Sequence, residues 1–278
     1  MLHQENHFPA HDGLTLFEQA WLPEAQADAV VVALHGFTEH GGRYTELGER
    51  LCGEGYAVYA LDLRGHGRSQ GEPVFVRSFD EYLADLDVFL EAVGRRQPGK
   101  PLFLFGHSMG GTIVALWAAA RRGDVRGLVL SAPAVQVGRG VFPILRRVAK
   151  WLGRLFPRLR IVRMGTGWLS RDPQVVAQFR NDPLVFHDRF PVRIGAEILR
   201  AAAKVPTRAG AIRAPLLILQ GTADRVVDPA GADRLEALAG SRDKTLLRYE
   251  GLYHDLLHEP EKAQVFADLI GWLDQRRH

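Results

Sequence analysis

Five short, near-continuous apolar runs recur along the chain, at residues 30–34, 57–61, 102–105, 127–130 and 216–219, and segments with helical spacing separate them. No other feature constrains the fold as strongly. A strand without polar alternation is one covered on both faces, which is the condition of a parallel sheet. Parallel neighbours need long crossovers, and residues 43–51, 79–93, 108–121, 229–238 and 260–273 supply helices for them, with Pro229 and Pro260 suited to a first helical turn. The order predicts an α/β fold, a mostly parallel central sheet flanked by helices with right-handed crossovers. Residues 14–21 alternate imperfectly and are expected to form an edge strand of a hairpin. With 278 residues, 46% of them hydrophobic, the chain can bury a core without staples, and its single cysteine, Cys52, excludes an intramolecular disulfide and a cysteine-based zinc site.

One segment breaks the rhythm. Residues 134–206 contain Pro143, Pro157, Pro173, Pro183 and Pro191 among helical stretches and read as an inserted helical cap, which leaves 1–133 and 207–278 as the core domain. Between Arg139 and Arg163 this cap carries eight basic residues and no acid, interleaved with Phe142, Ile144, Leu145, Trp151 and Phe156. Such a segment suits peripheral contact with an anionic lipid surface, and equally suits a lid whose arginines keep it solvated. The net charge of +3 is far from that of a nucleic-acid binder, so no nucleic-acid partner is expected. Residues 1–7 lack the basic start and apolar run of a secretory signal, and no apolar stretch approaches the ~20 residues that span a bilayer. The expected location is therefore cytoplasmic, with contact at the membrane surface through the cap.

The chemistry sits at strand ends. After the strand at 102–105 comes Gly106-His107-Ser108-Met109-Gly110-Gly111, then a helical run. A serine on a tight strand-to-helix turn needs small neighbours and presents its hydroxyl at a helix N-terminus; a glycine-rich helix start with a capping serine is the competing reading. A serine hydroxyl is a weak nucleophile without a base, and the base needs an orienting carboxylate. Asp224 lies in the loop after the strand at 216–219, and His254 in the loop after one at 245–249, giving the chain order Ser, Asp, His of α/β-hydrolases. Asp228, directly before Pro229, reads as a helix cap and is the alternative orienting acid. Acyl transfer also requires oxyanion donors: the Met109 amide follows the nucleophile, and the Phe37 amide occupies the matching place in the glycine-punctuated loop 35–44, which is otherwise only a turn. His254 and His258 form His-x-x-x-His, but Asp255 stands where a zinc protease has its Glu and no third ligand is evident, so neither metal nor cofactor is expected. His258 then reads as a helix-start or pocket-rim residue.

Taken together, His35-Gly36-x-x-Glu39-His40-x-x-Arg43-Tyr44, Asp62-Leu63-Arg64-Gly65-His66-Gly67-x-Ser69, the Ser108 motif, Gly221-Thr222-Ala223-Asp224-x-x-Val227-Asp228 and Tyr253-His254-Asp255 resemble the serine α/β-hydrolases of the monoacylglycerol lipase and lysophospholipase group, also filed as serine aminopeptidase-like hydrolases. The resemblance runs over nearly the whole chain. It implies an α/β-hydrolase fold with a cap, a Ser108–Asp224–His254 triad, an oxyanion hole of Phe37 and Met109, and Glu39 and Arg43 near the entrance to a head-group pocket, a mutual ion pair being the other view of those two. The implied activity is release of fatty acid and glycerol from a monoacylglycerol through an acyl-enzyme, with apolar cap residues such as Phe142, Ile144, Leu145, Leu169 and Val175 lining an acyl tunnel. Broad carboxylesterase, lysophospholipase or thioesterase activity would use the same residues, and a hydrolase-fold lipid-binding protein is the non-enzymatic alternative. One departure stands out: His258-Glu259-Pro260 replaces the Asn-Glu-Pro frequent in relatives, which bears on polar contacts near the triad.

Overall fold

Residues 1–120, 125–136 and 154–277 are described by the computed structural model. Ten strands appear there, β1 (Leu2–Pro9), β2 (Thr15–Leu22), β3 (Ala29–Leu34), β4 (Tyr56–Leu61), β5 (Leu102–His107), β6 (Gly127–Ser131), β7 (Arg160–Val162), β8 (Phe190–Pro191), β9 (Leu216–Gly221) and β10 (Lys244–Tyr249). The helices are α1 (Thr45–Gly53), α2 (Asp80–Arg96), α3 (Met109–Ala120), α4 (Pro173–Asn181), α5 (Val192–Arg208), α6 (Ala230–Leu238) and α7 (Lys262–Asp274). Eight strands form one sheet in the order β1-β2-β4-β3-β5-β6-β9-β10, parallel from β4 to β10 and antiparallel at β1 and β2.

Every residue of β3, β4 and β9 is buried, because alternate side chains enter two separate cores. Val30, Val32, Leu34, Leu104 and Ile218 face α2, α3, α5 and α6, while Val31, Ala33, Phe103, Phe105 and Leu219 face α1 and α7. Burying a side chain of this size contributes about 1.5–3 kcal/mol, so the two-sided runs account for the stability of the layered architecture. One expectation is corrected here. The strand at 14–21 is not at the edge: β2 lies between β1 and β4, and its hairpin partner β1 forms the edge instead. The polar Leu2–Pro9 segment pairs on one side only and is mostly exposed, so it carries little hydrophobic signal.

Of the expected cap, residues 137–153 lie outside the described residues, and with them Phe142, Ile144, Leu145 and four of the eight basic positions. The rest includes a two-stranded antiparallel ribbon, β7 with β8, which the sequence reading lacks, and α4, capped by Asp172 with Pro173 in its first turn. The expected boundary at Pro206 falls inside α5, whose Ile194, Ala201 and Val205 enter the main core. No helix among the described residues is long and apolar enough to cross a membrane.

Candidate active site

β3 has β4 on one side and β5 on the other, so the strand order reverses at this point and the loops leaving β3 and β5 diverge around a crevice. Ser108 sits on the turn between β5 and α3 with φ of 51°, a left-handed conformation rarely adopted by residues other than glycine. The turn is tight because its glycines allow backbone contact. A Cβ on Gly106 would come within 2.5 Å of Gly110 O, and one on Gly110 within 2.3 Å of Leu34 O. Ser108 N–H donates to Ser131 O and its carbonyl accepts from Ala134 N–H, which tie the elbow to β6 and the loop that follows.

His254 Nε2 lies 2.9 Å from Ser108 Oγ and Nδ1 lies 2.7 Å from Asp224 Oδ2. In the neutral base, Nδ1–H donates to Asp224 and Nε2 accepts the serine proton. Asp224 Oδ1 accepts the amides of Val226 and Val227, and Gln220 Nε2 donates to Oδ2. The acid and base loops meet because Gly221 has no side chain; a Cβ there would lie 2.4 Å from both Leu252 O and Tyr253 O. All three residues are buried. Burial opposes the charge on both partners, yet the attraction and hydrogen bond between them outweigh it, so Asp224 is held below the usual carboxylate range and His254 is raised above the ordinary imidazole value. Asp228 faces elsewhere, accepting from Ala230 N–H and Gln136 Nε2.

The loop after β3 is held in an unusual way. His35 is fully buried; its Nδ1–H donates to Gly36 O at 2.7 Å while Nε2 accepts Leu63 N–H at 2.9 Å. Burial and the neighbouring His66 hold its pKa well below the ordinary value, which keeps the ring neutral and this tautomer in place. Pinning the Gly36 carbonyl turns the Phe37 N–H of the same peptide to the opposite side. Met109 N–H opens α3, where a helix leaves its first amides without internal acceptors. The Asp62 motif is structural support for this loop, since Asp62 accepts Gly41 N–H at 2.6 Å.

The side chains of Glu39 and Arg43 are almost wholly covered and paired at 2.8 Å, and Arg43 donates onward to Asp255 at 2.6 Å while its guanidinium covers the Phe179 ring. Glu39 borders the cleft over Ser108; Arg43 is engaged behind it. That cleft is narrow, lined by Gly36, Phe37, Glu39, His107, Ser108, Met164, Leu169, Phe179, His254 and Asp255. Leu169 thus lies where the sequence reading has it, but Val175 does not, and Phe179, one helical turn further on, takes that place. His258 is no rim residue: its ring bonds Asp255 and the Arg43 carbonyl, so neither it nor His254 is presented for a shared ligand. His107 and Asp255 line the cleft and Gln220 bonds Asp224, positions to which the sequence reading assigned no role; only their place in or beside the triad motifs signals them.

A nucleophile, base and acid in hydrogen-bonded sequence at the switch point of a mostly parallel sheet define a serine hydrolase of the α/β-hydrolase class. The family model described as Serine aminopeptidase, S33, matches residues 25–261, and the chain belongs to that family. Monoacylglycerol lipase of Mycolicibacterium smegmatis is 38% identical over 97% of this chain and 96% of its own, and human monoglyceride lipase is 38% identical over 97% and 90%. The crystal structure of Paleococcus ferrophilus monoacylglycerol lipase superposes with a TM-score of 0.86 at 34% identity, over 94% of this chain and 99% of that one.

Proposed function

We propose that the chain hydrolyses monoacylglycerols to fatty acid and glycerol, with Ser108 as nucleophile, His254 as general base and acid, Asp224 as orienting acid, and the Phe37 and Met109 amides as oxyanion donors. The observation that carries this reading is the unbroken Ser108–His254–Asp224 line, at 2.9 and 2.7 Å, at the foot of a cleft roofed by Met164, Leu169 and Phe179. The names of these relatives support the substrate class.

Ser108 Oγ attacks the ester carbonyl as its proton passes to His254 Nε2, and the carbonyl π pair moves onto oxygen, facing the two amides. Each such donor is worth about 3 kcal/mol in the transition state. Collapse breaks the bond to the glycerol oxygen, which leaves with the proton from His254. Water then attacks the acyl-serine, gives its proton to His254, and the fatty acid departs as Ser108 recovers the proton. Segment 134–206 is the cap in this reading. Its exposed Leu155, Phe156, Leu159, Ile161, Val162 and Trp168, next to Arg154, Arg158 and Arg163, suit peripheral docking of a cytoplasmic enzyme on an anionic lipid surface.

The test is fatty-acid release from a long-chain monoacylglycerol by wild type and Ser108→Ala, beside a short, soluble ester. Rapid release from the lipid, abolished by the substitution, is the expected result. Turnover of the short ester alone replaces the substrate class with that of a general esterase, and no Ser108-dependent turnover of either leaves a binding protein.

A further inference from the structure

The mechanism uses the triad and two amides, yet a second chain of buried ionic groups runs beside them. Glu39 Oε1 accepts Gly36 N–H at 2.7 Å and Oε2 accepts Arg43 Nε–H at 2.8 Å. Arg43 Nη2 donates to Asp255 Oδ2 at 2.6 Å, Asp255 Oδ1 faces His258 Nδ1 at 2.8 Å, and His258 Nε2 faces the Arg43 carbonyl at 3.1 Å. Both His258 nitrogens are thus engaged by protein oxygens, which fixes the ring at both ends. The side chains of Glu39, Arg43 and Asp255 are no more than 8% exposed.

Buried ion pairs are weak sources of stability, because desolvation offsets their attraction, but they hold geometry closely. The ends of this chain are therefore informative. One end grips the residue before Phe37, and the other is the residue after His254. Gly36 is wedged against the nucleophile, since a Cβ there would lie 2.5 Å from Glu39 Oε1, 3.1 Å from His107 Cδ2 and 3.3 Å from Ser108 Cβ. A small shift of Glu39 would move the Phe37 amide relative to Ser108.

We propose that Glu39, Arg43, Asp255 and His258 are positioning residues, a brace that holds the oxyanion loop and the base loop in register across Ser108. The proposal rests on the assignment of Phe37 as an oxyanion donor. It departs from the head-group role that the resemblance implies for Glu39 and Arg43: the carboxylate and guanidinium are bound to one another and to protein partners. His258 closes the brace by bonding Asp255 and Arg43 at once.

The test compares wild type, Glu39→Gln, Asp255→Asn and the double variant on a short, soluble chromogenic ester, so that lipid dispersion and the monoacylglycerol assignment do not enter. Glu39→Asp, too short to reach both Gly36 and Arg43, replaces Glu39→Gln if that variant fails to fold by circular dichroism. Two quantities are read: kcat with KM, and inhibition by an aryl trifluoromethyl ketone, whose adduct with Ser108 places an oxyanion on the same donors. A lost or misplaced donor lowers kcat by roughly 10- to 100-fold and leaves KM within about threefold. The expected result is a fall of that size, a matching weakening of the ketone, and a double variant no worse than the poorer single one. A rise in KM with kcat unchanged would make Glu39 a binding residue and overturn the brace, as would unchanged ketone affinity or strictly multiplicative losses. If instead Ser108→Ala retains turnover, the assignment of the site itself falls.

Discussion

At Asp224 and Asp228 the chain offers two carboxylates four positions apart, and the loop geometry chooses between them. Asp224 meets His254 at 2.7 Å, whereas Asp228 is occupied with Ala230 N–H and Gln136. Asp224→Asn is expected to lower turnover on the order of 10³–10⁴-fold, because the amide does not hold the required tautomer, while Asp228→Asn stays close to wild type in the same steady-state assay. The pH profile carries a second signature. The base must be neutral to accept the serine proton, and its pKa is raised above 6.5, with Asp224 supplying most of the attraction that overcomes burial. Activity is therefore lost as pH falls through a value above 6.5, and the residual activity of Asp224→Asn has its acid limb at lower pH. An unmoved limb would show that Asp224 does not set it. Ser108, Asp224 and His254 were legible from order and spacing alone, since each follows a strong apolar strand. The mutual pair of Glu39 and Arg43 was one of two readings, but the onward bond from Arg43 was not legible, because its partner Asp255 lies 212 residues beyond it.

The decisive element is the β5–elbow–α3 unit. The apolar strand, the Gly-x-Ser-x-Gly turn and the apolar helix appear in the sequence in order, with the helix expected at 108–121 and found at Met109–Ala120. What the glycines do shows only in three dimensions. Gly110 faces Leu34 O and His35 O, so α3 crosses the end of β3 in direct backbone contact. In Gly110→Ala a methyl group would lie 2.3 Å from one carbonyl and 2.7 Å from the other, and the helix must retreat. Such overpacking costs about 1–3 kcal/mol or more. Because Gly110 directly follows Met109, and Leu34 and His35 lead into the loop that carries Phe37, the contact couples the two proposed oxyanion donors, and the expected outcome is a lowered thermal midpoint together with a larger effect on kcat than on KM. A variant with wild-type kcat and midpoint would mean that the contact yields without consequence. Strand β1 is the converse case: exposed and polar, it is recruited by hairpin pairing with β2 rather than by its own pattern.

At the scale of the molecule, exposed apolar side chains alternate with arginines along residues 154–168, the described part of the proposed cap. Each basic residue near an anionic bilayer contributes roughly 1 kcal/mol, and exposed aromatic and aliphatic side chains add apolar insertion. Co-sedimentation with phosphatidylglycerol-containing vesicles is expected to exceed that with pure phosphatidylcholine, to weaken with salt, and to fall in a Phe156→Ser/Ile161→Ser variant that keeps short-ester activity. Equal sedimentation with both vesicles would remove the electrostatic part, and none with either would leave the face a solvated surface. Arg158 and Arg163 pair with Glu72 and Asp188, which tempers the charge available to lipid.

By itself the sequence determined the layered α/β architecture, because two-sided apolar strands are stable between two layers of helices, and it determined where Ser108, Asp224 and His254, the proposed triad, would lie, because the strand ends that carry them are local features. Tertiary structure alone decided which side chains act on them from a distance. The brace from Glu39 to His258, the carbonyl of Gly36 pinned by His35, and the entry of α5 into the main core all depend on residues brought together by sheet order and helix packing. No local periodicity encodes such a meeting, and the desolvated interior is what turns it into a hydrogen bond with a defined geometry.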